Sequence, residues 1–412
     1  MKKLNDAWDL LTKVLFCEKT NLIYDSIGSR DHAHRFDHLP FPEEIALNLP
    51  NPNSWGTGME DSMLNAGPAL EAALYWARTE PKKKVRALKF ARKLIGGMEL
   101  CTTVHGVKGF LVRSVSHRDG KSCYCDSSRD QYTLFIYGLW RFFHSEFATE
   151  ADKARISRML CNTADYCERS VKPETGNNLM RLDGGRGLVS EMIGICAHEE
   201  YRLPMFYLAA FDCSGSKKYL RLYETLADHA LDVTLAMDMN KNWWDIQLMQ
   251  MQISLALGLK ADPDAARRKR IRKAMLQTAG LAEKSFYTDA DKLEKHTGPL
   301  DLLAELWSKS KNMHIVPGTQ FDNKASLFDG KFYLKPEEPY DFFIARELIR
   351  GVGNRAVAVA LCADYTPDPG FYARFEQVAD IPDYKTHTSA DVCNILQAHY
   401  LVAAKQAGEA GR

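Results

Sequence analysis

Apolar residues recur at three- and four-residue spacing over long windows of this chain, and strict alternation is scarce. That rhythm predicts amphipathic or buried helices and few strands. The windows place helices at 4–18, 60–79, 84–100, 130–145, 150–170, 199–212, 217–237, 244–258, 264–286, 298–309, 340–362 and 389–405. Asp262-Pro263-Asp264 reads as a helix start, with a capping residue and a first-turn proline. Gly215 and Gly258 read as helix ends. Gly109–Val115 and Lys331–Leu334 read as short isolated strands decorating loops.

Taken in order, the twelve helices pair as six hairpins joined by unequal connections. Loops 19–59, 101–129 and 171–198 are long and rich in His, Pro, Asn, Gly, Ser and Cys. Each precedes the second helix of a hairpin, and long loops in compact proteins usually carry function. Alternating outer and inner helices would bring these loops to one end of a ring. The expected fold is therefore all-α, an (α/α)6 toroid formed by residues 1–412 as a single domain, with the second helix of each pair inside.

Composition narrows the functional classes. Lys plus Arg number 54 against 53 Asp plus Glu, a net charge of +1, which argues against an obligate nucleic-acid binder. The basic run Arg267–Lys273 then reads as a solvated outer helix face. No apolar run has the length of a membrane span, and Asn5, Asp6 and Asp9 interrupt any leader-like core. The expected compartment is the cytoplasm, or the periplasm if a leader has been removed. The ten cysteines lack a disulfide rhythm and read as structural thiols, and Cys123 and Cys125 do not have redox-pair spacing. The segment Asp31-His32-Ala33-His34-Arg35-Phe36-Asp37-His38 offers metal-binding side chains, but no second ligand framework accompanies it, so it reads as a polar surface loop. Neither a metal nor a cofactor is expected, and no phosphate-binding loop or nucleophile elbow is present.

Chemistry gathers at the starts of the proposed inner helices. These read Trp55-Gly56-Thr57-Gly58-Met59-Glu60-Asp61, Ser127-Ser128-Arg129-Asp130-Gln131-Tyr132, Ala197-His198-Glu199-Glu200-Tyr201-Arg202, Asn242-Trp243-Trp244-Asp245, His296-Thr297-Gly298-Pro299-Leu300-Asp301 and His387-Thr388-Ser389-Ala390-Asp391. Helix capping accounts for Ser389 and Asp391. It does not account for the tryptophans, Arg129, His198 or Arg202. Indole faces stack on sugar rings, paired carboxylates perform acid/base work, and converging helix N-termini favour an anionic ligand. An acidic oligosaccharide is the expected partner.

The run Ser128-Arg129-Asp130-Gln131-Tyr132-Thr133-Leu134-Phe135-Ile136-Tyr137-Gly138 resembles the Ser-Arg-Gly-Gln-x-Trp…Tyr-Gly run of unsaturated glucuronyl and rhamnogalacturonyl hydrolases, members of the six-hairpin glycosidase superfamily. Leu208-Ala209-Ala210 followed by Gly215-Ser216-Lys217-Lys218-Tyr219-Leu220 is similar to that superfamily's helix–turn–helix repeats. Asp130 replaces the family's glycine, and one extra residue separates Gln131 from the Tyr-Gly pair. The resemblance implies a glycoside hydrolase whose carboxylates lie at early inner helices.

Asp61 and Asp130 are the expected catalytic pair, with Glu199 as the alternative acid. Trp55, Glu60, Arg129, Gln131, His198, Arg202, Trp243 and Trp244 are the expected substrate-binding residues, with at least one tryptophan belonging to the core. His198 and Arg202, four apart, are expected to share a helix face. A polysaccharide lyase using Tyr132, Tyr201 or His198 as base is a second reading. A sugar epimerase using His198 and His387, and a non-catalytic carbohydrate-binding protein, are the others.

Overall fold

A computed structural model describes residues 1–49, 51–54, 57–241, 243–297 and 340–408, with two further short strands at His314–Ile315 and Leu334–Lys335. The described chain is predominantly helical. The helices are α1 (Leu4–Asp9, continued by a π-helical turn at Leu10–Leu15), α2 (Pro42–Ala46), α3 (Ser62–Thr79), α4 (Lys84–Thr103), α5 (Arg129–Phe143) and α6 (Glu150–Ser170). There follow α7 (Arg202–Ser214), α8 (Lys217–Leu235), α9 (Asp245–Ala261), α10 (Ala265–Lys295), α11 (Tyr340–Leu361), α12 (Phe371–Ala379) and α13 (Val392–Gln406).

Two kinds of helix alternate along the chain. In α3 every residue from Ser62 to Ala77 is buried, and α9 is buried on all sides. By contrast α8 buries Tyr219, Tyr223, Ala227, Ala230, Leu231 and Thr234, a single stripe at three- and four-residue spacing. The inner helices pack in a cyclic order, α3 on α5, α5 on α7, α7 on α9, α9 on α11, α11 on α13 and α13 back on α3. The others lie outside them: α4 on α3, α6 on α5 and α7, α8 on α7, α10 on α9 and α11, and α12 on α11 and α13, with α1 against α13. One apolar cluster runs from Ala7 to Ala404.

The structure revises the fifth and sixth pairs. Segment 298–309 lies outside the described residues. The helix between α9 and α13 is α11, which the order of the sequence pattern places on the outside. Its outer neighbour in the last pair is the short α12, absent from the sequence reading. Gly109–Val115 is irregular backbone rather than a strand. The loop hairpin instead joins Asn178–Met180 (β3) to Arg186–Glu191 (β4), after a first small pair, Phe16–Cys17 (β1) with Leu22–Ile23 (β2). Leu334–Lys335 (β6) pairs with His314–Ile315 (β5).

Helix ends follow local chemistry in most places. Asp264, not Pro263, enters the first turn of α10 as its cap, accepting from the N–H groups of Ala266 and Arg267 at 2.7 and 2.9 Å. Gly215 ends α7 in the left-handed conformation. Gly258 does not end α9, which runs on to Ala261; a Cβ there would lie 2.6 Å from the Tyr201 hydroxyl, so close packing, not termination, explains the glycine.

The closest inner contact joins α3 to α5. A Cβ on Gly67 would lie 2.3 Å from the Leu134 carbonyl oxygen, and one on Gly138 would lie 2.8 Å from the Gly67 Cα. Helix propensity alone favours alanine over glycine by about 1 kcal/mol. Here the clash is with backbone, which cannot swing aside, so Gly67→Ala and Gly138→Ala are each expected to destabilise the protein by about 1–3 kcal/mol. Urea unfolding checks this; stabilisation by either alanine would contradict the packing.

Candidate active site

The inner helices begin at one pole, and their first turns are tied together by side chains. Gln131, on the first turn of α5, donates to Asp61 Oδ1 at 3.0 Å and accepts from the Leu64 N–H at 2.9 Å, linking α5 to the start of α3. Arg202, at the start of α7, donates to Asp130 Oδ1 at 2.5 Å. On the other side Arg346 of α11 donates to Asp391 at 2.9 Å, and Arg350 faces Asp245 of α9 at 3.4 Å. Asn354 completes that side, donating to Asp245 at 2.7 Å and accepting from Asn394 at 2.6 Å.

Asp61 precedes α3 without capping it through its side chain, so capping does not account for this carboxylate. Burial raises its pKa; Arg113, Arg346 and Arg350 oppose that, and the charge of Asp130 adds to it. Asp130 pairs with Arg202 rather than with its sequence neighbour Arg129, and its side chain is 24% exposed. Glu60 is half-buried. Asp391 stands at the N-cap position of α13, but its side chain pairs with Arg346 and makes no capping bond.

Beneath Asp61 lies a residue absent from the sequence reading. Asp25 accepts from the N–H groups of Glu60 and Asp61, both at 2.9 Å, and its carbonyl accepts from the Ala390 N–H at 2.9 Å. It therefore ties the approaches to α3 and α13. Burial and the neighbouring Asp61 push its carboxyl up to about 7, against Arg346 and the two backbone donors. Its partners are 35 and 36 residues away, so no local pattern marks it. Arg346, Glu347 and Arg350 are also new to the site. Their signal was legible, since Arg346, Arg350 and Asn354 recur every fourth residue in the polar first part of a helix whose second half is apolar.

A second cluster surrounds Glu199. Arg129 donates through Nε and Nη2 to its two oxygens at 2.8 and 2.7 Å, and Arg202 approaches at 3.5 Å. Burial pushes the Glu199 carboxyl up, but the Arg202 and Arg129 guanidiniums outweigh it and hold it at about 2. A carboxyl in that environment carries no proton near neutrality, so Glu199 does not suit the role of acid. His198 and Glu199 lie in a turn before α7, which begins only at Arg202. His198 and Arg202 therefore do not share a helix face. Burial, ahead of the opposing Glu199, lowers the His198 imidazole to about 4, which leaves it neutral and unsuited to holding an anion.

The tryptophans separate. Trp243 is buried between His198, with ring centroids 4.7 Å apart, and Lys241, and its indole N–H donates to the Asp238 carbonyl. Trp244 is 53% exposed, with Arg350 at 5.5 Å from its ring and Glu347 accepting from its indole N–H at 3.4 Å. Trp55 lies outside the described residues. Tyr132 and Tyr201 are buried among core side chains, and burial pushes both phenols far up, which removes them as bases. His387 is buried next to α13.

In the polar loop His34 pairs with Asp37 at 2.7 Å and His32 meets the Lys13 carbonyl, so its histidines do not converge. Among the described residues one Cys/His/carboxylate group has its donor atoms together, namely Cys196, His198 and Glu199. All ten cysteines are free thiols.

Two cavities of about 270 and 290 Å³ lie at the opposite pole, where α3, α5 and α9 end; they share Tyr75, Trp140, Arg141 and Lys260. Their charged walls are largely ion-paired, as in Arg141 with Glu71 and His144 with Asp212. The raised carboxyl pKa values and the acid–base juxtapositions are at the helix starts. Chemistry therefore favours that pole, although these two cavities are at the other. No helix among the described residues is long and apolar enough to cross a membrane. Neither the models of known protein families nor the curated proteins compared with this chain match it.

The pH dependence of stability tests the Asp25 environment. Its pKa is about 7 in the folded state against an ordinary 3.8, so between those values the folded chain binds more protons than the unfolded one. Asp25 thus costs stability as pH rises from about 4 to about 7. Urea unfolding of wild type and Asp25→Asn at pH 5 and pH 8 should show the variant gaining relative to wild type at the higher pH. A difference that does not change with pH would contradict this environment.

Proposed function

We propose that the chain is a single-domain (α/α)6 toroid and a glycoside hydrolase acting on uronic-acid-containing oligosaccharides. The observation that carries this reading is the unequal environment of two neighbouring carboxyls at the inner helix starts. Asp61 and Asp130 are both half-buried, but desolvation raises the Asp61 pKa whereas Asp130 is paired with Arg202. Unlike environments of this kind divide two carboxyl groups into a proton donor and a proton acceptor.

In the proposed reaction Asp61 gives its proton to the departing oxygen of the substrate. Asp130 takes a proton from the attacking water. Gln131, already bonded to Asp61, holds the acid in place and has its amide beside the reacting groups. Arg129 acts indirectly, by fixing Glu199 and through it Arg202. The exposed Trp244, backed by Arg350, offers a stacking face for a sugar ring. Converging helix N-termini and the guanidiniums of Arg113, Arg346 and Arg350, whose charges reach Asp61, favour an acidic sugar over a neutral one.

Turnover of saturated and 4,5-unsaturated uronyl disaccharides by purified protein tests the reading, following reducing sugar and the ultraviolet absorbance of the unsaturated ring. Asp61→Asn and Asp130→Asn keep size and remove the titrating group, so each is expected to lose about 10²-fold or more in turnover while remaining folded. Near-normal rates in both variants would overturn the assignment. Appearance, rather than loss, of ultraviolet absorbance from a saturated substrate would identify a lyase instead.

A further inference from the structure

We propose that Cys196, His198 and Glu199 form a binding site for one divalent transition-metal ion of the zinc type. The three donor atoms form a compact triangle: Cys196 Sγ is 3.4 Å from His198 Nε2 and 3.3 Å from Glu199 Oε2, and His198 Nε2 is 3.8 Å from the same Oε2. Tetrahedral zinc bonds of about 2.3 Å to sulfur and 2.0–2.1 Å to nitrogen or oxygen place ligand atoms about 3.3–3.6 Å apart. The triangle needs to shift by only a few tenths of an ångström to fit.

The surroundings suit a soft or borderline ion. One thiol, one imidazole and one carboxylate select zinc or cobalt over magnesium or calcium, which prefer oxygen cages. Trp243 packs against the His198 ring and fixes its plane, while His198 and Glu199 are buried and Cys196 is half-buried, which gives the ion a way in from solvent. Three protein ligands leave a fourth position for water.

Charge sets the limit on affinity. Glu199 already accepts from Arg129 and faces Arg202, and both cations oppose a metal. Asp130 neutralises Arg202, and loss of the Cys196 proton neutralises one charge of the ion. Without metal the thiol donates to Glu199 Oε2; on binding, the sulfur–metal bond replaces the S–H bond and one proton leaves to solvent. The site is therefore expected to bind more weakly than a four-ligand structural zinc site.

The test is independent of the hydrolase reading, because its readouts are metal content and spectra. Full-length protein stripped with a chelator is titrated with Zn²⁺ against a chromophoric competitor and with Co²⁺ by absorption spectroscopy. The expected result is one equivalent bound, release of about one proton, and a thiolate-to-cobalt charge-transfer band. Cys196→Ser should abolish that band, and Cys196→Ser and His198→Gln should each weaken binding by about 100-fold or more. Circular dichroism confirms that the variants are folded. Failure of the wild-type protein to bind Zn²⁺ at micromolar concentration, or binding unchanged by both substitutions, would overturn the proposal.

Discussion

A helix surrounded by other helices has nowhere along its length to put a charge, and that constraint shapes this molecule. Each inner helix is enclosed by its neighbours in the cyclic order and by an outer helix, so its middle is given to apolar and small residues. An exception such as Glu71 must be fully satisfied, by Arg141, Tyr137 and Gln397. Most other inner-helix charges lie toward the helix termini, Asp130, Arg202 and Asp245 at the starts and Arg78, Arg141 and Asp212 at the ends, where side chains from adjacent elements pair them. Burying such groups singly would cost several kcal/mol each, and removing one partner of a buried pair typically costs about 3–5 kcal/mol. The helix-start pole is consequently a mutual network, from Asp25 and Asp61 through Gln131, Asp130 and Arg202 to Glu199 and Arg129.

That network also explains how adjacent carboxyls come to differ. Asp61, Asp130 and Glu199 are the same functional group at successive helix starts. Glu199 receives two guanidiniums and is held far below the ordinary range; Asp61, half-buried close to Asp25 and Asp130, is raised. The division of labour proposed for hydrolysis arises from which arginines the neighbouring helices present, not from the acids themselves.

Much of the helical layout was legible in the sequence because three- and four-residue periodicity is a local property. Helices α3 to α9 stand close to their expected windows, α10 starts in place but runs to Lys295, past its expected end at 286, and the Gly215 stop and the Asp264 start follow from chemistry within a few residues. Which helix lies inside is not local. Counting pairs puts segment 340–362 outside, although its apolar second half, Ala356–Cys362, and the Arg346, Arg350 and Asn354 face before it carry the mark of an enclosed helix with a polar start. The site residues at helix starts were legible as types but not as partners. Arg129 meets Glu199 across 70 residues, and Asp130 meets Arg202 across 72, so the nearest charge in sequence was the wrong partner. Asp25 had no signal at all, because its role depends on where a distant backbone passes.

The central claim is that the pole of helix starts, not the cavity-bearing pole of helix ends, receives the substrate. The most direct measurement is a crystal structure of the Asp130→Asn protein with an acidic uronyl disaccharide bound. The account predicts a sugar ring between Asp61 and position 130, within reach of Trp244. A ligand found only among Tyr75, Trp140 and Lys260 at the opposite end, with the helix starts empty at saturating concentration, would contradict it.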